Sequence, residues 1–172
     1  AVISITVDVS GTLISQNYSI HDIDGSGIYS GGGTTFSELT ISENEITDND
    51  GYGIFFDQVV NSPDSLDISG NTINTNAGNG IYISYVSNST VSLEGNTVNG
   101  NGTDYGYAGI YIDTVVGSTV SILNNPSISE NTGSGVVLCG EGYCGDSTLS
   151  VSGNIILANG AVGLQIYSIG AT

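Results

Sequence analysis

The chain is 172 residues long and carries seventeen aspartates and glutamates, one histidine and no lysine or arginine, for a formal net charge of −17. Ordinary domains carry about a quarter charged residues of both signs. Here nothing can neutralise phosphate, so nucleic acid is excluded as a partner; an anionic membrane surface repels the chain, and acidic polysaccharides are disfavoured for the same reason. No stretch approaches the ~18 apolar residues of a membrane span, so no membrane insertion is expected. Opening on Ala1, with no methionine anywhere, is what a processed product or a fragment would show.

The first element, Ile3-Ser-Ile5-Thr-Val7-Asp-Val9, alternates apolar and polar residues and predicts a half-buried strand. Residues 1–19 read as this strand and an irregular first coil. A degenerate unit, Ile23-Asp24-Gly25-Ser26-Gly27-Ile28, precedes five closer copies of one pattern. Its members are Asn44-Glu-Ile46…Asn49…Gly53-Ile54, Asn71-Thr-Ile73…Asn76…Gly80-Ile81, Asn96-Thr-Val98…Asn101…Gly109-Ile110, Asn125…Ile128…Asn131…Gly135-Val136 and Asn154-Ile-Ile156…Asn159…Gly163-Leu164. Successive first asparagines stand 27, 25, 29 and 29 residues apart, which suits one coil of a solenoid.

Each coil divides into three short strands. Leu39–Ile41, Leu66–Ile68, Val91–Leu93, Val120–Ile122 and Leu149–Val151 form the first; a second carries the single inward aliphatic between the asparagines; the third begins after the glycine, as in Ile54-Phe-Phe56, Ile81-Tyr-Ile83 and Ile110-Tyr-Ile112. The asparagines are expected to form internal ladders that satisfy backbone groups at the corners while adopting the left-handed conformation these corners need. The aligned glycines at 27, 53, 80, 109, 135 and 163 are expected at positive φ. The whole of 1–172 therefore reads as one all-β domain, a parallel β-solenoid of about six coils and ~30 Å length.

These units resemble the right-handed parallel β-helix repeat shared by pectate-lyase-like enzymes, tailspikes and NosD-like periplasmic proteins, over about residues 20–170. The resemblance implies the fold, which hosts lyases, hydrolases, adhesins and structural proteins alike. The resembling lyases use a basic residue, commonly beside calcium, and the resembling polygalacturonases use clustered aspartates with His, Arg or Lys nearby. This chain offers only His21 beside Asp22 and no convincing triad, so no catalytic residues are expected.

Four decorations remain. Asp22 and Asp24 stand five and three residues before Gly27, as Asp48 and Asp50 do before Gly53, a spacing that would stack four carboxylates on neighbouring coils and recruit calcium or another hard cation. No cofactor is otherwise required. Tyr29, Phe55, Tyr82 and Tyr111 occupy the outward position after each inward aliphatic and predict one exposed aromatic stripe, a surface for protein or neutral sugar. Cys139 and Cys144 are spaced for a local disulfide. Asn17, Asn88 and Asn101 head glycosylation triplets, of which Asn101 is discounted because it belongs to the ladder. The disulfide and the triplets together point to an extracellular, cell-surface protein.

Neither terminus carries a helix-period segment or a lysine that would blunt a sheet edge. Ile3, Ile5, Val7 and Val9 at one tip, and Leu164, Ile166 and Ile169 at the other, are therefore expected to form an assembly interface with a second copy, by coil stacking or by lending residues 2–10 as a strand. The expected function is a self-assembling filament, sheath or surface layer, similar in character to the protease-resistant sheath proteins of filamentous archaea. A carbohydrate-binding or carbohydrate-active β-helix is the second reading. An ice-binding solenoid, using the outward column Thr40, Asp67, Ser92, Ser121 and Ser150, is the third.

Overall fold

The computed structural model describes residues 6–17, 25–32, 37–60, 65–140 and 142–167. These form a parallel β-solenoid of six stacked coils with three walls. The first wall stacks Thr6–Ser10, Glu38–Ser42, Ser65–Ser69, Thr90–Glu94, Thr119–Leu123 and Thr148–Ser152. The second stacks Leu13–Ser15, Glu45–Thr47, Thr72–Asn74, Thr97–Asn99, Ser127–Ser129 and Ile156–Leu157. The third begins at Ile28, Ile54, Ile81, Ile110, Val136 and Leu164. Every pairing is parallel, and equivalent residues stack in register, as in Leu39↔Leu66 and Val91↔Val120.

Register follows from composition. A slip by one residue would turn the columns Ile41–Ile68–Leu93–Ile122 and Ile46–Ile73–Val98–Ile128, which are fully buried, out to water. Each such side chain contributes roughly 1.5–3 kcal/mol through burial. Among the described residues there is no helix, and so none long and apolar enough to cross a membrane.

Residues 6–17 depart from the expected irregular coil. Thr6–Ser10 pairs in register with Glu38–Ser42, and Leu13–Ser15 with Glu45–Thr47, so this segment is the first regular coil and shares its third wall with Ile28–Ser30. A strand already paired into its own stack is not available to be lent to a neighbour. Thr6–Ser10 is thus committed to its own stack, and Ile3 and Ile5 lie outside the described residues.

The third-wall strands are also longer than expected. In coils two to four they run on as Ile54–Val60, Ile81–Ser87 and Ile110–Val116, bending where two successive residues face outward and adding a further inward column, Val59, Val86 and Val115. That column ends in a ladder of serines: the Ser89 N–H donates to Ser118 Oγ, and the Ser118 N–H to Ser147 Oγ, each at 3.1 Å.

The asparagine ladders form as two continuous columns. Asn96, fully buried, accepts at Oδ1 from the N–H and Nδ2 of Asn71, and donates from Nδ2 to Ile68 O at 2.8 Å and Asn125 Oδ1 at 3.2 Å. The same fourfold pattern holds at Asn76 and Asn101 in the second column. The left-handed residue at each corner is not the asparagine but its predecessor: Glu43, Gly70, Gly95, Asn124 and Gly153 before the first column, and Asp48, Thr75, Gly100, Glu130 and Ala158 before the second. Turning the chain one residue earlier aims the asparagine inward.

The aligned glycines are required for a different reason from the one expected. None has positive φ. A Cβ on Gly53 would lie 2.5 Å from Gly80 O and 2.6 Å from Ile73 Cγ2, and one on Gly135 would lie 2.6 Å from Gly163 O. Close packing of neighbouring coils, not backbone handedness, excludes a side chain at 27, 53, 80, 109 and 135, whereas at Gly163, on the last described coil, the nearest atom to a Cβ would be 3.6 Å away.

Candidate functional site

Tyr29, Phe55, Tyr82 and Tyr111 share one register position on the third wall, continued by Val137 and Gln165. Ring centroids are 5.3 Å apart for Tyr29–Phe55, 5.2 Å for Phe55–Tyr82 and 5.4 Å for Tyr82–Tyr111. The stripe is not uniformly exposed, however. Phe55 is 7% exposed, and Tyr82 and Tyr111 are half-buried, because rings spaced by one coil cover one another and Tyr52 leans across them, 5.3 Å from Phe55 and 5.4 Å from Tyr82.

The stack changes character at its upper end. Tyr82 and Tyr111 meet edge-on at 89°, and Tyr107 meets Tyr52 at 78°. Residues 102–107 form a loop that overhangs this region. Gly102 N–H donates to Asn76 O, Thr132 Oγ1 to Gly102 O at 2.6 Å, and Gly106 N–H to Asp104 Oδ1 at 2.8 Å; Asn79 Oδ1 accepts the Ala108 N–H beyond it. Gly133 lets the backbone of Tyr105 and Tyr107 lie directly against the next coil. Two adjoining clefts result, one lined by Tyr52, Asn79, Tyr82, Tyr107, Tyr111 and Asp113, the other by Tyr105, Tyr107, Tyr111, Ser134, Gln165 and Tyr167 among others. The sequence marked Tyr52, Tyr105 and Tyr107 only as neighbours of the stripe; the repeat does not reveal that a loop folds back over it.

The disulfide joins Cys139 and Cys144, with Cα atoms 5.7 Å apart and both residues buried. It closes an insertion in the fifth coil: Leu138 pairs with Ile112, and Cys144 with Val115, so five residues on this coil stand where two stand below. Cys144 thereby fills the inward column at its upper end. Within the loop, Gly142 N–H donates to Asp113 Oδ1 at 3.0 Å, and Gly140 lies against the Tyr111 hydroxyl. The crosslink thus borders the clefts.

The acidic corner is only half described, since Asp22 and Asp24, like His21, lie outside the described residues. Asp48 is exposed, and its Oδ1 accepts from Thr75 Oγ1 at 2.6 Å; the Asp50 backbone N–H donates to Asn17 O at 2.9 Å. Among the described residues no three His, Cys, Asp or Glu side chains are grouped to hold a metal ion. Of the glycosylation triplets, Asn88 is exposed at a left-handed corner with φ 50°, whereas the Asn17 amide donates to Asn49 Oδ1 at 2.8 Å and belongs to the second ladder. Asn101 is fully buried within that ladder.

At the two tips the inward columns come into view. Leu164 and Ile166, on the last described coil, are 39% and 46% exposed, although the equivalent Ile110 and Ile112 are completely covered; Ile169 lies outside the described residues. At the opposite tip Val7 is 40% exposed, and Val9 is partly buried.

No curated protein matches the chain, and no solved structure does. The family model described as a right-handed β-helix region matches residues 4–172, essentially the whole length. The parallel coils and internal ladders agree with that match, and the chain belongs to the right-handed β-helix family.

Proposed function

We propose that this chain is an extracellular structural protein that stacks on copies of itself, coil on coil, into a filament, sheath or surface layer, and that it performs no catalysis. The observation that carries the reading is the polarity of the two tips. The internal ladder asparagines turn Oδ1 toward the first coil and donate the backbone N–H and one Nδ2 hydrogen toward the last, the other Nδ2 hydrogen going back to a carbonyl of the preceding coil. The first described coil therefore presents the Oδ1 of Asn17, and the last coil the backbone N–H groups of Asn154 and Asn159, whose amides already donate to Ile122 O and Ile128 O, beside the open apolar columns of Leu164 and Ile166. A second copy laid head to tail continues the second ladder, through Asn17, and the core; head-to-head contact opposes acceptor to acceptor.

Charge supports the same polarity. Eleven of the seventeen acids lie at or before Asp67, and none lies beyond Asp146. Two acidic tips repel one another, whereas an acidic tip against an uncharged coil does not. The disulfide supports an oxidising, extracellular setting. Calcium bridging between the acidic flanks of neighbouring rods is part of the proposal, with no cofactor needed for the fold.

Negative-stain microscopy and sedimentation of the chain, with and without a chelator, test the reading. Unbranched polar fibres are expected, with an axial repeat of about 29 Å for six coils, and Ile166→Glu, which sets a negative charge on an exposed side chain opposite the acidic first coil, is expected to leave folded single rods. Dispersed rods of the unaltered chain at high concentration refute it.

A further inference from the structure

The outward face of the second wall changes character at the two tips. Leu13 heads a column that continues through Glu45, Thr72, Thr97 and Ser127, each paired in register with the next. Ile155 continues it on the last described coil, one residue before Ile156, which pairs with Ile128; beside it Leu157 follows Asn99 and Ser129 in the neighbouring column. Leu13, Ile155 and Leu157 are 64%, 52% and 51% exposed, whereas Ile14 and Ile156 pack against the core. Because these three point outward, an open core at the tip does not account for them. Within the stack, outward neighbours match in kind: the hydroxyls of Ser127 and Ser129 both donate to Asn99 Oδ1 at 2.9 Å, and the Asn99 N–H donates to Asn74 Oδ1 at 3.1 Å. The aliphatics break that rule. Their neighbours along the wall are Glu45, Ser127 and Ser129, none of which gives an apolar side chain the cross-strand partner that stabilises a sheet.

Leu13 and Ile155 stand at opposite ends of one column, so a second copy laid head to tail can bring them side by side. Resting on the stacking proposed above, we infer that the copies meet without rotation, second wall on second wall, and that Leu13 of each closes over Ile155 and Leu157 of the copy it stacks on, an apolar clasp on the outside of the junction. The other elements agree with this register. It sets the five-residue Thr6–Ser10 on the five-residue Thr148–Ser152, with Val7 over Leu149 and Val9 over Val151, and it sets Asn17 Oδ1 over the Asn159 N–H. Rotation by one wall lays five-residue strands on strands of two or three and parts Leu13 from Ile155. Charge agrees as well: no acid lies beyond Asp146, so Glu45 beside Leu13 faces no carboxylate of the last coil across the junction.

The test places cysteines in the clasp. In-register neighbours on adjacent strands stand ~4.8 Å apart, inside the ~4.4–6.8 Å that a disulfide spans between Cα atoms. Fibres of the full chain carrying Leu13→Cys and Ile155→Cys, oxidised with glutathione disulfide, are therefore expected to give a ladder of covalent multimers on a non-reducing denaturing gel. A chain carrying Leu13→Cys and Thr148→Cys, positions that approach each other only after rotation by one wall, is expected to run as single chains. Fibres that give no ladder from the first pair, or a ladder from the second, overturn the unrotated clasp and leave stacking itself standing; absence of fibres from the unaltered chain overturns both. Leu13→Ser covers the case in which the cysteines themselves prevent fibres. Its side chain lies mostly in water, so the melting of single rods is expected to stay unchanged, while the concentration at which fibres form rises about tenfold, the worth of covering one large aliphatic. An unchanged fibre-forming concentration sinks the clasp.

Discussion

An asparagine amide has two donor hydrogens and an oxygen able to accept two bonds, and at Asn71, Asn76, Asn96 and Asn101 all of this capacity is used inside a dry corner. Only glutamine carries the same groups, on a longer stem. Asn96→Ala leaves the Asn71 N–H and amide, Ile68 O and Asn125 Oδ1 short of a partner, and at ~1–3 kcal/mol for each buried orphan group it is expected to destabilise the chain by at least ~3 kcal/mol. Asn96→Asp is nearly isosteric but sets an acceptor against two oxygens. Because the ionised carboxylate is disfavoured in the folded corner, its folded pKa lies above the unfolded value, so the deficit is present at neutral pH and shrinks as pH falls through that folded pKa. Thermal melts of both variants at neutral and acidic pH check this: only Asn96→Asp should recover in acid.

At the scale of the strand, the disulfide loop belongs to the third wall more than to the surface. Its insertion interrupts the fifth coil, and pairing resumes only at Cys144–Gly145, where Val115 N–H donates to Tyr143 O at 3.0 Å and Gly117 N–H to Gly145 O at 3.1 Å. Closing so short a loop is worth about 2 kcal/mol by chain entropy. Reduction is therefore expected to leave the sheet signal in circular dichroism intact while accelerating amide exchange at Val115 and Gly117, and to leave exchange at Ile68 and Leu93, on the first wall, unchanged. Loss of protection throughout the stack would show instead that the crosslink is needed for the fold.

On the scale of the whole molecule, a stack of near-identical coils behaves as a one-dimensional array, in which each coil is stabilised by its neighbours and the ends are weakest. The exposed columns at the last described coil are the energetic expression of this, and in the proposed assembly a further coil from a second copy would remove them from water. Sideways contact is governed by charge instead. At neutral pH the −17 charge keeps rods apart, and this repulsion falls as pH approaches the sequence pI of about 4.1. Light scattering is expected to show fibres bundling laterally near that pH, and dispersing again above it; bundling that ignores pH would mean that charge does not control the spacing.

The three walls, the inward columns and both asparagine ladders were legible in the sequence, because a repeat with a buried face writes the same residue types at the same intervals. Residues 6–17 were misread because Thr12 stands where later coils have asparagine, although Gly11 and Asn17 keep the corner. The serine ladder was hidden by its short motif, and the burial of Phe55 by a turn residue, Tyr52, whose direction no periodicity encodes. What the amino-acid order determines by itself is the period and the face of each residue, since both are local consequences of alternation. Only the tertiary structure decides how coils of unequal length bring the 102–107 loop, the crosslinked insertion and the tyrosines of different coils together, because those contacts join residues some thirty positions apart whose meeting depends on the stacking itself.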